Sequence, residues 1–171
     1  MIKIKIRTKK KQQVTIIENG IKKSATVDVP MPKIIKKGEW IDLTVLGTHS
    51  LMKGDLFKLD LGIAAQLPEG YEVIIAPRSS NPTKKGIILA NSIGVIDNSY
   101  SGNEDWWGFT ALALRDTIIN NGDRIAQFRI QLSQKATFWQ KLKWLFSSSV
   151  ELVEVDNLTS PNRGGFGSTG D

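Results

Sequence analysis

No apolar stretch in this chain runs far before Gly, Pro or Asn interrupts it, and that punctuation limits the fold more than any other feature. Residues 2–8, IKIKIRT, alternate apolar and basic side chains, the period of a strand with one solvated face. VTII at 14–17 and SATVDV at 24–29 flank Asn19-Gly20, the dipeptide that favours a tight hairpin turn. Short strands are also predicted near 41–46, 56–64, 71–76, 86–91, 109–114, 124–131 and 150–155, with LPEGY at 67–71 and NNGD at 120–123 as turns. Many short strands with almost no helix imply an all-β sandwich or barrel of antiparallel strands.

One segment departs from this pattern. In ATFWQKLKWLFSS, 136–148, Phe138, Leu142, Leu145 and Phe146 stand near helical spacing, with Lys141 and Lys143 between them. A short helix is predicted there, packed on its own subunit or on a neighbouring one. Its functional readings are a docking surface for a protein partner or a weak membrane contact. The chain reads as one domain over 1–156, followed by a tail, 157–171, rich in Gly, Ser and Asn and expected to be mobile when empty.

Composition excludes several chemistries. The chain has no cysteine, so disulfide and thiolate chemistry are out, which fits a reducing cytoplasm. Its single histidine, His49, excludes multi-histidine metal sites and reads as a surface or loop residue. No apolar run is long enough to span a bilayer, and MIKIKIRTKK has no apolar stretch after its charges, so neither a membrane span nor a secretory signal is expected. Residues 1–40 hold eleven Lys or Arg against three acids, and the remainder twelve against fourteen. Those early lysines alternate with isoleucines and lack interleaved aromatics, so they read as a solvated strand face rather than a nucleic-acid surface.

Four polar motifs stand in fixed order: APRSS at 76–80, GVIDNSYSG at 94–102, GDRIAQF at 122–128 and RGGFGSTG at 163–170. Arg78, with Ser79 and Ser80 beside it, offers a cationic fork, hydroxyls and backbone N–H groups to phosphate oxygens. Asp97 lies between an apolar run and a turn, where a carboxylate can take a proton from an attacking water, although an Asp at a strand end is more commonly a turn former. Arg163, Ser168 and Thr169 sit among glycines that let the backbone approach a ligand closely, and Phe166 supplies a flat face for a base. Together these parts suggest a nucleotide site without a P-loop.

The same motifs resemble those of the trimeric dUTP pyrophosphatase (dUTPase) family, over residues 38–170. The resemblance implies a dUTPase-like jelly-roll barrel with one inserted helix and a flexible C-terminal arm, assembled as a homotrimer with sites at subunit interfaces. It implies hydrolysis of dUTP to dUMP and pyrophosphate with Mg2+. GEWIDLTV at 38–45 is similar to the first motif and would place Asp42 near the hydrated metal. PRSS would bring Arg78, Ser79 and Ser80 to the triphosphate. In the third motif, GIILANSIGVIDNSYSG, Asp97 would activate water and Tyr100 would stack on the deoxyribose. Asn91, with the main chain of Gly94, Val95 and Ile96, would read the uracil edge. Gln127 would lie near the phosphates and Arg124 would be structural. The fifth motif would fold over a site, with Arg163, Gly167, Ser168 and Thr169 at the phosphates and Phe166 over uracil. Its arginine and phenylalanine are closer together than is usual in the family, which leaves Trp106 and Trp107 as alternative stacking groups.

The related dCTP deaminases carry a catalytic glutamate in the strand after the third motif. Here WWGFTALALRD has no acid from Trp106 to Arg115, which ranks deamination and a bifunctional enzyme low. A second alternative is regulatory: dUTPases of phages and prophages sometimes hold extra sequence after the fourth motif. The resemblance therefore implies a phage or prophage origin and makes 135–148 a candidate contact for a protein partner.

Overall fold

The computed structural model describes residues 1–34, 38–147 and 149–164. Among these residues the strands form five small sheets around one hydrophobic core. The first strand, β1 (Ile2–Thr8), buries Ile2, Ile4 and Ile6 and turns Lys3 and Lys5 outward, as its alternation requires. The hairpin of β2 (Gln12–Glu18) and β3 (Ile21–Val27) turns at Asn19 and Gly20, both at positive φ (52° and 77°), the geometry that matches strand twist in a two-residue loop.

The sheet that carries the polar motifs has four strands. In order across it these are β10 (Gly94–Asp97), β8 (Tyr71–Pro77), β13 (Arg124–Leu132) and β4 (Ile41–Thr44), all antiparallel. A second sheet places β11 (Gly108–Ala113) between β6 (Leu56–Asp60) and β9 (Ile87–Leu89). Two short strands, β5 (His49–Leu51) and β12 (Thr117–Ile119), pair with each other. At three or four residues, β5, β10 and β12 are too short to show alternation and are absent from the strands the sequence predicts.

Two expectations need correction. The single strand predicted over 56–64 is divided, because the Gly62 N–H donates to the Asp60 side chain (2.7 Å) and Gly62 takes a φ of 65°, turning the chain into β7 (Ile63–Gln66). Nor are all pairings antiparallel: β1 pairs antiparallel with β7 but parallel with β14 (Val150–Glu154). A parallel partner needs a long crossover, and nearly the whole chain separates these two strands.

The core is sealed by Trp107, Phe109 and Phe128, with Trp107 and Phe128 meeting edge to face at 5.3 Å. Trp107 is thus a packing residue. His49 is likewise structural, its Nε2 2.9 Å from the Leu46 carbonyl oxygen.

Helix α1 (Phe138–Phe146) forms inside the predicted segment. Thr137 caps it: its hydroxyl accepts the Gln140 N–H (3.3 Å) while the Gln140 side chain accepts the Thr137 N–H (2.7 Å). The helix rests on its own subunit through Gln140, which donates to the Glu69 carbonyl (2.7 Å), and through Trp144, 5.9 Å from the Tyr71 ring. Phe138, Trp139, Leu145 and Phe146 remain exposed.

Candidate active site

Three motifs meet where β4, β8 and β13 run side by side. Asp42 on β4 stands opposite Gln127 on β13, which in turn faces Ala76 on β8. Arg78 follows the end of β8, its N–H donating to the Ile125 carbonyl (3.1 Å), and its guanidinium pairs with Asp42. Arg124 donates to the other Asp42 oxygen (3.0 Å). Gln127 donates to the Pro77 carbonyl (3.3 Å) and so braces the residue before Arg78. Ser79 is exposed and Ser80 half-buried at the entry to a short π-helical turn, Asn81–Lys85. Buried Asn81 pins that turn by donating to the Ile125 carbonyl (2.6 Å). Two guanidiniums converge here on one carboxylate, which leaves an excess of positive charge suited to phosphate oxygens.

The third motif lies along the sheet edge. β10 pairs with β8 on one side only, so alternate main-chain groups of Gly94, Val95 and Ile96 face away from the sheet and can hydrogen-bond a flat partner. Ile96 is buried and Val95 exposed. Asn91, in the turn before β10, donates to the Ile93 carbonyl (3.0 Å) and is exposed. Gly94 packs its bare face on Ile75: a Cβ there would lie 3.2 Å from the Ile75 Cβ.

Asp97 closes β10 at the mouth of a cleft of about 300 Å3 that it shares with Tyr71, Ser99 and Lys135. Partial burial raises its pKa. The Ser99 hydroxyl (2.5 Å) and N–H (2.8 Å), with the charge of Arg163, outweigh that effect and hold the carboxyl below its usual range. At neutral pH it is therefore a carboxylate able to accept a proton. The phenol of Tyr100 donates to the Trp106 carbonyl (3.0 Å). Burial and the Asp105 charge push its pKa up, so it stays neutral.

Within one chain these groups do not form a single site. Asp97 pairs with Glu72 at one end of β8, and Arg78 stands six residues further along. At about 3.3 Å per residue that separation is roughly 20 Å.

The first part of the glycine-rich arm returns to the third motif. Its Arg163 guanidinium lies 3.3 and 3.4 Å from the two Asp97 oxygens. Phe166, Gly167, Ser168 and Thr169 lie outside the described residues. Trp106 is half-buried, with Arg7 and Lys9 4.9 and 4.8 Å from its ring centre and its Nε1 donating to Glu104 (3.0 Å). Neither these contacts nor the buried Asp105 was legible in the sequence, because neither belongs to a spaced pattern.

A carboxylate at the end of an open sheet edge, together with two arginines on an all-β fold, suits a nucleotide and its phosphates. The dUTPase family profile matches residues 41–170. A prophage-derived deoxyuridine 5'-triphosphate nucleotidohydrolase of Bacillus subtilis is 46% identical over 80% of this chain and 87% of its own. The corresponding Rickettsia prowazekii protein is 36% identical over 92% and 99%. Among solved structures, a Streptococcus mutans dUTPase superposes with a TM-score of 0.56 at 28% identity, covering 60% of this chain and 84% of that one. A dUTPase from phage phi11 of Staphylococcus aureus, described with a structural Mg(II) ion, also scores 0.56, at 19% identity over 64% and 88%, a likeness of fold alone. The chain belongs to the dUTPase family.

Proposed function

We propose that this protein hydrolyses dUTP to dUMP and pyrophosphate, as a homotrimer whose sites join Asp97 of one subunit to Arg78 of another. The observation that carries the reading is an ionised, partly exposed Asp97 at the end of a sheet edge able to read a base, on a chain of the dUTPase family. The separation of Asp97 from Arg78 along β8 supports the assembly: neither half can act on one triphosphate without a second copy.

Asp97 accepts the proton of a water that attacks the α-phosphorus. An oxygen–phosphorus bond forms as the bond to the bridging oxygen breaks, and pyrophosphate departs. Arg78 and Arg163 stabilise the negative charge that develops on the phosphoryl oxygens. The edge of β10 and Asn91 hydrogen-bond the uracil, and Tyr100, anchored through Trp106, packs on the deoxyribose. A site built on such bonds rejects cytosine because buried polar groups would be left unpaired.

The donor set fits magnesium in one way only. Among the described residues no three His, Asp or Glu side chains cluster into a cage, and Asp42 is tied to two guanidiniums. Those residues suit an ion that arrives chelated by the triphosphate, with Asp42 touching its water shell. Bound so, magnesium would supply charge neutralisation on the phosphates.

No helix among the described residues is long and apolar enough to cross a membrane, which is compatible with work in the cytoplasm. The exposed aromatic face of α1 supports a subunit contact or a regulatory protein partner at 135–148.

The test is pyrophosphate release with magnesium from dUTP, dCTP, dTTP and UTP. Turnover of dUTP alone is expected, and Asp97→Asn should lower it by roughly 10²–10⁴-fold, the usual worth of a general base. Ammonia released from dCTP would move the protein to the deaminases.

A further inference from the structure

We propose that buried Asn81 is a positioning residue for the polyphosphate: it clamps the 78–81 turn onto β13 so that Arg78, Ser79 and Ser80 meet one triphosphate together. The proposal deepens the dUTP-hydrolysing reading and rests on it.

One acceptor gathers both ends of this turn. The Ile125 carbonyl receives the Arg78 N–H (3.1 Å) and the Asn81 side-chain amide (2.6 Å), while the Asn81 N–H donates to the Arg78 carbonyl (3.0 Å). Only Ser79 and Ser80 lie between the two ends. Their hydroxyls and N–H groups therefore sit in a loop closed at both sides, a preorganised set of donors for phosphate oxygens. Ile125 follows Arg124 on β13, so the same amide joins the second motif to the fourth. The side chains of Arg78 and Arg124 converge on Asp42, and the clamp ties together the stretches of backbone from which both arginines extend.

The chain after Asn81 is held by other residues. Arg115 donates to the Pro82 and Thr83 carbonyls (3.3 and 2.7 Å), the Thr117 hydroxyl donates to the Lys85 carbonyl (2.7 Å), and Lys85 pairs with Asp123. The π-helical turn thus has its own supports. What the Asn81 amide adds is the closure of the segment before it.

Stability alone does not account for an asparagine at this position. Asn81 is 0% exposed, yet its Oδ1 has no hydrogen-bond partner among the described residues. A buried acceptor left unsatisfied costs the fold its desolvation, and such a group calls for an explanation other than packing. Leucine is close to asparagine in size and would remove that cost. The Ile125 carbonyl would still hold the Arg78 N–H. The asparagine supplies in return the donor that closes the turn, which is a trade of stability for a fixed site.

The test is calorimetric titration of the full chain, in magnesium, with two probes. One is the imido analogue of dUTP, in which nitrogen bridges the α- and β-phosphorus and resists hydrolysis. The other is dUMP, which keeps the base, the sugar and one phosphate. Asn81→Leu is expected to melt no earlier than the wild-type chain. It should bind the analogue about tenfold or more weakly, with dUMP affinity kept within about twofold. KM for dUTP should rise in step. Asn81→Ala, too small to clash in the buried position, should lower the same ratio of affinities. An unchanged ratio in the folded variants, whatever their melting temperatures, would leave Asn81 a packing residue and overturn the proposal. A wild-type chain that binds neither probe is a different failure, that of the dUTP reading itself.

Discussion

At the scale of single residues, the ion pair between Arg163 and Asp97 has a measurable consequence. In the proposed mechanism Asp97 acts as a base only when ionised, so activity is expected to fall as pH drops through its pKa. Arg163 is one of the groups that lower that pKa against the effect of burial. Replacing it with alanine removes the lowering charge and raises the pKa, so the acid limb of the kcat/KM profile is expected to move to higher pH. The Ser99 hydrogen bonds persist in that variant, so the shift should be partial. An acid limb that stays in place in Arg163→Ala would separate the two residues in the free enzyme. The same depressed pKa means that the Ser99 hydrogen bonds, with Arg163 adding to them, stabilise the fold above the ordinary carboxylate pKa of about 3.9, a contribution lost as pH falls through the folded-state value. Asp97 itself was legible in the sequence because a named motif surrounds it. Asp105 was not: its buried carboxylate is met by two backbone N–H groups that arrive from 58 and 59 residues away, and no local spacing records such a meeting.

At the scale of elements, alternation of side chains foretold β1, and the Asn19-Gly20 turn foretold its neighbouring hairpin, because both signals are local. The failures have local causes too. A glycine with positive φ split a predicted strand, and strands of three or four residues carried too little pattern to be seen. The helix was foreseen from its spacing, and its capping box explains why so short a segment holds its shape. What the spacing could not foretell is that four of its large apolar side chains stay uncovered by their own subunit. Replacing 136–147 with a short glycine-serine linker, with Lys135 kept beside Asp97, is therefore expected to leave dUTP turnover within about twofold while reducing association beyond the trimer or capture of a partner. Sedimentation and turnover of the shortened chain check this together; lost activity in a folded trimer would place α1 in the site. Thr137→Ala, which removes the cap, should weaken the helix by about 1 kcal/mol, read as faster amide exchange over 138–146 with the barrel unaffected.

At the scale of the whole molecule, the decisive fact is a length. Strand β8 separates the proposed base from the proposed phosphate-binding arginine, with Asp97 near its start and Arg78 beyond its end. The roughly 20 Å between them, at about 3.3 Å per strand residue, exceeds what one triphosphate spans on a single subunit, since its reacting phosphorus must meet both. The proposed site is then one assembled from two copies, and complementation is a sharp test of it. Asp97→Asn chains and Arg78→Ala chains should each turn over dUTP poorly by themselves. In a mixed trimer, some interfaces join the intact Asp97 of one chain to the intact Arg78 of the other, and those sites are complete. With random mixing of equal amounts, activity should rise well above the sum of the two separate preparations. A site contained within one chain gives no such gain, because every chain in the mixture carries one lesion. Absence of recovery in trimers shown to be mixed, for example by two different affinity tags, would place both residues in one subunit's site and require β8 to bend the two ends together. Dilution offers an independent check: activity per chain should fall as the trimer dissociates, in step with the oligomer and not with unfolding.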